Sequence, residues 1–457
     1  MRRLLLIIVV FGFVVSSCDI ASFDDDVNKN PNLPSEAEPS QLIANAMLSL
    51  PSLSSSPQGE YFAQYLSQII YIDQSLYPKG TTSFYWLYRG PLINLQTAID
   101  NTKDANEAAV AKILKAYFFW HTTDRWGDIP YSEALNGEED FTPAYDRQQD
   151  IYNDLFASLK EARDQLKVGG ELKNDIIYNG DIEKWRKFGN TVRMLMALRL
   201  SEVDAQKAEQ EFKAALSDGV MESNEDNFVF QHLADQDNEN YWYSQIIRQT
   251  RVWWALPVRL IDMMEPNDDP RLSVYGDKAK STGEYTGLPY GNPDDVDASD
   301  YAQLGSDIYE QDAPVYLITY AQAEFARAEA AARGWTTEDA ETHYTEAVTA
   351  SVKQWTGSDD GVTQLLQNEP FSSAAPIEQI SSQRYIHLFM NGYEAWAEWR
   401  RTGYPDNMVN PMGRDVPLRQ AYTSDEKLNN TENYNEAVDR QFNGENTMYG
   451  RLWWDVE

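Results

Sequence analysis

The sequence predicts a mainly α-helical fold, in which tetratricopeptide-like helical hairpins pack together and one long irregular, loop-rich region is inserted. Segments with a 3.6-residue apolar period recur in pairs at about 41–221 and again at 313–405. Their alanine stripes place small residues opposite large ones, as in the helix pairs of repeat proteins. Residues 222–312 are instead rich in Asp, Asn, Gly, Pro and Tyr, which is typical of turns and short extended segments.

The first 17 residues form a predicted lipoprotein signal peptide. Two arginines precede an apolar run at residues 4–15, and two serines stand before Cys18, the only cysteine in the chain. This order is typical of a secretory signal peptide. Residues 15–18 (VSSC) are similar to a bacterial lipobox. The alternative is an uncleaved membrane anchor, which needs about 20 apolar residues and is therefore the weaker hypothesis. We expect lipidation at Cys18, followed by an acidic, Asn- and Pro-rich tether at 18–40 and a single domain at 41–457.

The predicted helices follow the apolar periodicity in chain order. In the first half they lie at 41–50, 60–70, 104–123, 148–167, 183–203 and 205–218, with Gly219 as a C-terminal cap. A further helix before residue 104 contains Gly90-Pro91, which should break or kink it. In the second half they lie at 258–264, 315–333, 337–355 and 383–400. Residues 406–457 are predicted to be mostly irregular.

Composition and motif content argue against several functions. A formal charge of −34 disfavours nucleic-acid binding, since neutralising phosphates needs clustered Lys and Arg. The four histidines lack zinc-ligand spacing, and no nucleophile elbow or phosphate-binding glycine motif occurs. Among 72 acidic residues, no carboxylate pair stands out as that of a glycosidase. We therefore expect no enzyme activity and no catalytic residue, with a glycan-cleaving enzyme as the weaker alternative.

Two acidic loops raise the question of calcium. Asp235-x-Asp237-x-Glu239 and Asp294-Asp295-x-Asp297 are rich in oxygen ligands. Both lack the glycine and the terminal bidentate glutamate of an EF-hand loop. We interpret them as solvated loops and expect no metal site and no cofactor, while a structural calcium ion stays an open alternative.

Aromatic residues in polar, turn-rich segments are the candidate ligand contacts. The chain contains 13 Trp and 27 Tyr, and several of them flank a Pro-Lys-Gly turn or lie in the irregular region. Sugar rings pack their C–H faces on flat aromatic rings and leave their hydroxyls to polar side chains, while rigid aromatics lose little entropy on binding. The candidates are Tyr71, Asp73, Tyr77, Trp86, Tyr241, Trp242, Tyr243, Trp254, Tyr285 and Tyr290. For each of them, burial in the core is the competing interpretation.

An ordered set of short motifs resembles the SusD/RagB family of outer-membrane nutrient-binding lipoproteins. After Cys18 these motifs are 26–32 (DVNKNPN), 124–131 (DRWGDIPY), 181–185 (DIEKW), 269–272 (DPRL), 287–291 (GLPYG), 326–335 (ARAEAAARGW), 392–396 (GYEAW) and 400–405 (RRTGYP). Each motif is weak alone, but their matching order along the chain is specific.

The resemblance implies a surface-exposed outer-membrane lipoprotein that binds oligosaccharide or polysaccharide and delivers it to a SusC-like TonB-dependent transporter. Three consecutive aspartates at 24–26 are similar to the surface-export tags of such lipoproteins. The family has no fixed ligand motif, so no binding residue can be transferred from it. Peptide cargo is one alternative, and a partner of the transporter that binds no ligand of its own is another.

Overall fold

Helices dominate the computed structural model, which describes residues 38–79, 82–136 and 141–456. The signal peptide, Cys18 and nearly all of the tether lie outside these residues. Within them, the helices of eight or more residues are α1 (Pro39–Met47), α2 (Ile93–Asn101), α3 (Ala105–Trp126), α4 (Gln148–Gln165), α5 (Ile182–Arg199), α6 (Ala205–Ser217), α7 (Tyr320–Ala332), α8 (Ala340–Thr356), α9 (Pro376–His387), α10 (Gly392–Thr402) and α11 (Thr431–Phe442). This confirms the predicted mainly α-helical class.

Shorter elements connect these helices. The short α-helices are Pro51–Ser54, Pro57–Phe62, Tyr85–Leu87, Tyr241–Tyr243, Val258–Met264, Leu272–Tyr275, Val362–Asn368 and Ser424–Asn429. Single 3₁₀ turns lie at Ile72–Leu76, Asn224–Asp226, Glu265–Asn267, Ala298–Asp300, Ser306–Tyr309 and Pro411–Gly413, and π turns at Tyr88–Leu92 and Ser244–Arg248. The strands are β1 (Ser67–Gln68), β2 (Ile129–Pro130), β3 (Tyr145–Asp146), β4 (Phe228–Phe230), β5 (Trp254–Ala255), β6 (Gly276–Asp277), β7 (Gln303–Leu304) and β8 (Val315–Ile318).

The long helices pack as hairpins, α3 with α4, α5 with α6, and α7 with α8. Between α3 and α5 the approach is so close that a Cβ on Gly189 would lie 3.1 Å from Ile113 Cδ1. Between α7 and α8, Ala328 packs with the large Tyr344 in one buried cluster. Small residues facing large ones therefore pack these hairpins, as the alanine stripes predict.

Local sequence signals set most helix ends. The Asp104 carboxylate accepts hydrogen bonds from two backbone amides at the start of α3, and Asp181 does the same at the start of α5. Such caps contribute about 1 kcal/mol each because they satisfy amides that lack a partner within the helix. After α6 the chain turns at Gly219, whose φ is +91°, a left-handed conformation that glycine adopts without strain.

The irregular region forms the second layer of the fold. Four short antiparallel strands make a sheet in the order β1-β5-β7-β6, and its register pairs Gln68 with Trp254. Its buried side chains share a core with Tyr385 on α9 and Trp396 on α10. The predicted short helix at 258–264 is present there. The irregular region is thus anchored on α9 and α10.

Four predicted elements differ from the structure. The helix expected at 60–70 ends at Phe62, because the chain beyond it joins the sheet as β1. The helix expected at 315–333 begins only at Tyr320, since residues 315–318 pair with β4 as β8. Residues 406–457, expected to be irregular, contain α11 and the helix Ser424–Asn429. The fourth, the predicted long helix at 383–400, is interrupted between α9 and α10.

The interruption between α9 and α10 has a tertiary cause. Met390 has a φ of +65°, and the Asn391 side chain donates to the carbonyl of Leu317 at 3.0 Å. Next, Gly392 lies so close to the backbone of Gly59 that a Cβ on it would come within 2.3 Å. At Gly90-Pro91, where a break or kink was expected, the helix is not broken. The chain stays helical through a π turn, which tolerates the missing amide hydrogen of proline.

No helix among the described residues has the length and apolar character that crossing a membrane requires.

Candidate functional site

Four of the ten predicted contact residues are buried in the core. The Trp254 indole donates to the Tyr61 hydroxyl at 2.7 Å, and the Tyr290 hydroxyl donates to the Tyr61 carbonyl at 2.8 Å. Tyr77 accepts from the Gln64 amide at 2.8 Å. The Trp242 ring packs at 86° on Trp254, with centroids 5.1 Å apart. Because protein atoms cover these rings, we do not assign them to a surface site.

The other six predicted residues reach the surface to different degrees. Tyr71 and Asp73 are exposed, while Trp86, Tyr241, Tyr243 and Tyr285 are half-buried. Trp86 packs on the helical-hairpin core, away from the sheet. Cations cover two of the half-buried rings: Lys278 lies over Tyr285 at 5.1 Å and Arg248 over Tyr243 at 5.7 Å. These covered rings offer less free area to a ligand than Tyr71 does.

Tyr71, Tyr241, Arg251 and Trp253 form a cluster that we call the aromatic platform. The Tyr71 and Trp253 rings meet edge to face, with centroids 5.2 Å apart and planes at 72°. The Arg251 guanidinium lies 4.3 Å from the centre of the Trp253 ring, a cation–π contact. Burial raises the pKa of Tyr241, and the positive charge of Arg251 partly offsets this rise.

The backbone under the platform is strained. Tyr71 and Tyr77, on either side of the 3₁₀ turn Ile72–Leu76, both have a φ of +58°. A left-handed conformation costs a non-glycine residue roughly 1–2 kcal/mol. The turn is held by Gln68, whose side-chain oxygen accepts from the backbone amide and the hydroxyl of Ser75 at 2.8 and 2.7 Å. The result is a tyrosine side chain that is 68% exposed.

Trp253 belongs to the platform, whereas the prediction selected its neighbour Trp254. The Ile69 amide donates to the Trp253 carbonyl at 2.8 Å, so the β1–β5 pairing extends past Trp253. Successive residues of an extended strand point to opposite faces. Trp254 therefore enters the core and Trp253 lies at the surface. From the sequence alone, the alternation of side chains along a strand predicts that one of Trp253 and Trp254 points to the surface. It does not show which of the two does so.

A pocket lined in part by Trp242 lies where the irregular region meets the hairpins. We call it the seam pocket; its volume is about 140 Å³. Trp242, Phe389 and Trp355 are among its apolar lining, and Asp307 and Gln354 are polar residues at its wall. The rings of Tyr71, Trp253, Trp254 and Trp242 contact one another in sequence. The platform and the seam pocket are thus joined by a continuous row of aromatic contacts.

The acidic loops do not bring their carboxylates together. Glu239 pairs with Arg248 at 2.6 Å, and Asp235 accepts from the backbone amide of Asp237. In the part of the chain that the structure describes, no group of three His, Cys, Asp or Glu side chains is placed to hold a metal ion.

Comparison with known proteins decides the family. A family model described as SusD-like, starch-binding and associating with the outer membrane matches residues 31–423. The chain belongs to the SusD-like family. This confirms the resemblance of the ordered motifs, and it makes the chain a member of an outer-membrane-associated family of binding proteins.

Several solved structures share the fold over most of this chain. A chitin-binding protein is 32% identical, with a TM-score of 0.83, over 92% of this chain and all of that one. A SusD homolog from Bacteroides fragilis is 27% identical, with a TM-score of 0.80 over the same shares. A Bacteroidetes SusD-like protein is 26% identical, again with a TM-score of 0.80 over these shares. No curated protein matches the chain.

Proposed function

We propose that this protein is a cell-surface lipoprotein that captures a neutral oligosaccharide or polysaccharide on the aromatic platform and passes it to a transporter. One observation carries the proposal: Tyr71 presents an exposed ring from a strained left-handed backbone and is braced edge to face by Trp253. Strain of this kind concentrates at functional sites. The exposure of Tyr71 distinguishes it from Tyr77, which has the same backbone conformation but is buried.

The platform supplies the two kinds of contact that a sugar needs. The exposed face of Tyr71 packs on the C–H face of a pyranose ring. Because the side chain has only two torsions, it loses little conformational entropy on binding. Asp73, exposed in the same turn, accepts from hydroxyl groups. Arg251 is held against Trp253 and donates to ring or hydroxyl oxygens. Its charge is the only cationic one of the platform, which suits a neutral chain better than a polyanion.

Chitin is the first cargo to test. The relative that is 32% identical over its full length is named a chitin-binding protein. Chitin is an uncharged chain of pyranose rings, which agrees with an aromatic platform in a protein of net charge −34. The carboxylates that dominate this surface repel acidic glycans.

Delivery needs an anchor and a partner. In this proposal Cys18 carries the lipid, the acidic tether spans from the membrane to the domain, and a SusC-like TonB-dependent transporter receives the cargo. The packed hairpins offer a broad, stiff face to such a partner. The irregular layer, which carries the platform, is left for the ligand.

Calorimetry with purified protein lacking the lipid tests the platform. We expect wild type to bind a hexamer of N-acetylglucosamine, or another member of a panel of neutral oligosaccharides. Tyr71→Ala and Trp253→Ala should each weaken binding about tenfold, since each removes a central aromatic contact. The matched control is Phe141→Ala, which removes another exposed ring. Binding to no glycan, or unchanged affinity in both platform variants, would contradict the proposal; binding of a mixed peptide library instead would favour peptide cargo.

A further inference from the structure

A second aromatic-walled site lies at the end of α10. Trp399, Asp406, Asn410, Asp415 and Tyr449 are among the residues that line a groove of about 490 Å³, and Arg400 and Arg451 line it too. We call it the C-terminal groove. It shares no lining residue with the aromatic platform or the seam pocket.

The groove has two aromatic walls, Trp399 and Tyr449. Trp396 on α10 is buried and donates from its indole to the carbonyl of Pro417 at 2.7 Å. Trp399, three residues later, is half-buried, and its indole N–H meets no acceptor among the described residues. Tyr449 is 47% exposed. Within the described chain, neither ring stacks on another ring. Trp399 packs in part against the core that the sheet shares with α9 and α10, whereas nearly half of the Tyr449 side chain is accessible to a ligand.

Two carboxylates, Asp406 and Asp415, supply acceptor oxygens to the groove. Asn410 donates to one oxygen of the Asp415 carboxylate at 2.9 Å, and Asp406 is exposed. The two arginines of the lining contact other groups of the protein. Arg400 donates to the carbonyls of Trp396, Leu418 and Asp124, and Arg451 pairs with Asp455 at 2.6 Å. The groove therefore favours a ligand that donates hydrogen bonds and disfavours an anion.

One wall of the groove also braces the platform. Val409 exchanges two hydrogen bonds with the Gln64 side chain, at 3.0 and 2.7 Å. Arg414 donates to the carbonyl of Leu76 at 2.8 Å, at the end of the strained turn that begins after Tyr71. The loop that contains Asp406, Asn410 and Asp415 thus rests on the turn that carries the platform tyrosine.

We propose that the C-terminal groove is a second carbohydrate subsite, which holds a further stretch of the same neutral glycan chain. This inference rests on the proposed function and deepens it, because two subsites select polysaccharide over short oligosaccharide. A chain long enough to reach both subsites gains avidity from the second contact, roughly a hundredfold or more when the geometry permits both. A chain that fills the platform alone gains nothing from the groove.

The test compares a short and a long ligand in one set of variants. The ligands are the trimer of N-acetylglucosamine and a soluble chitin polymer, measured by calorimetry and by retardation in affinity gels. The groove variants are Tyr449→Ala, an exposed position, and Trp399→Ala; the platform variant is Tyr71→Ala, and Phe141→Ala is the control. Circular dichroism melts identify any variant that does not fold.

We expect the groove variants to weaken polymer binding tenfold or more and to leave trimer binding unchanged, while Tyr71→Ala weakens both. Equal polymer affinity in wild type and Tyr449→Ala would overturn the groove proposal and leave the platform standing. If wild type binds neither ligand nor any neutral glycan in the panel, the proposed function fails instead. If Tyr449→Ala weakens trimer and polymer equally, the groove is part of the first site and the second subsite is disproved.

Discussion

Arg401 on α10 donates two hydrogen bonds of 2.7 Å to the two carboxylate oxygens of Glu329 on α7, and neither side chain is exposed to solvent. Burial raises the pKa of Glu329, but Arg401, Arg384 and Arg333 outweigh burial and hold the pKa at about 2. Arg401 also donates to Glu398 at 2.6 Å. This buried ion-pair network ties α7, α9 and α10 together, and α9 and α10 in turn anchor the layer that carries the platform.

Glu329→Gln should lower the free energy of unfolding by about 3–5 kcal/mol, because it leaves buried arginines without their anionic partner. Urea denaturation at pH 7.5 measures this. The control is Glu209→Gln, which removes a surface pair with Lys213 and should cost less than about 1 kcal/mol. A loss at Glu329 no larger than that of the control would contradict the assigned role of the network.

His387 should make the protein less stable in mild acid. Its ring nitrogens lie 2.9 Å from Ser351 Oγ and 2.7 Å from Thr319 Oγ1. Burial, then Arg271 and Arg384, lowers the pKa of His387 to about 3. An unfolded histidine has a pKa of about 6.5, so between these values the unfolded state takes up a proton that the folded state does not. The contribution of His387 to the free energy of unfolding is therefore complete above pH 6.5. It falls by about 1.4 kcal/mol for each pH unit below that value.

The measurement for His387 is urea denaturation at pH 7.5 and pH 5.0, in wild type and in His387→Gln. The glutamine keeps a neutral hydrogen-bonding side chain and removes the titration. Wild type should lose about 2 kcal/mol more than the variant between the two pH values. Equal losses would show that His387 does not titrate as assigned.

The neighbours Trp253 and Trp254 should respond oppositely to removal of the ring. Trp254→Ala empties a core site and should cost about 3–5 kcal/mol of stability. Trp253→Ala should cost about 1 kcal/mol or less and act mainly on ligand binding, because this ring lies in the platform. Thermal melts and glycan-binding affinities of both variants, each compared with wild type, test this difference. Each variant serves as the control for the other, and similar melting temperatures would contradict the assigned burial.

Replacing Tyr71 by glycine should separate stability from binding. Glycine adopts the left-handed backbone without strain, which offsets the lost contact with Trp253. We expect a free energy of unfolding within about 1 kcal/mol of wild type and glycan affinity lowered about tenfold. Tyr71→Ala, which keeps the strain, should be the less stable of the two. A glycine variant that binds like wild type would remove Tyr71 from the site.

Cys18→Ala should abolish incorporation of labelled palmitate and release the protein from membranes in cells. The affinity of purified protein for glycan should not change, because the cysteine precedes the domain that carries the platform. Labelling and fractionation of wild type and variant, followed by calorimetry, check both expectations. A variant that is still processed and membrane-bound would refute the lipoprotein assignment.

Short-range signals predicted the helical hairpins because their causes are local. The apolar stripe of α3 follows from its own periodicity, and its start follows from Asp104 two to three residues away from the amides that it caps. The predicted helix at 315–333 fails for the opposite reason. Residues 315–318 are apolar enough for a helix, but β4, more than eighty residues earlier, pairs with them.

The sequence by itself determined the class of fold and the family, and it predicted the lipid attachment and a set of candidate aromatic contacts that includes Tyr71. Only the tertiary structure decided which of the aromatic rings are exposed to solvent. Trp253 and Trp254 are chemically identical, and their exposure depends on β1 and Tyr61, far away in the chain. Trp399 and Tyr449 became candidate contacts only through the structure, because burial is set by long-range packing that no local pattern encodes.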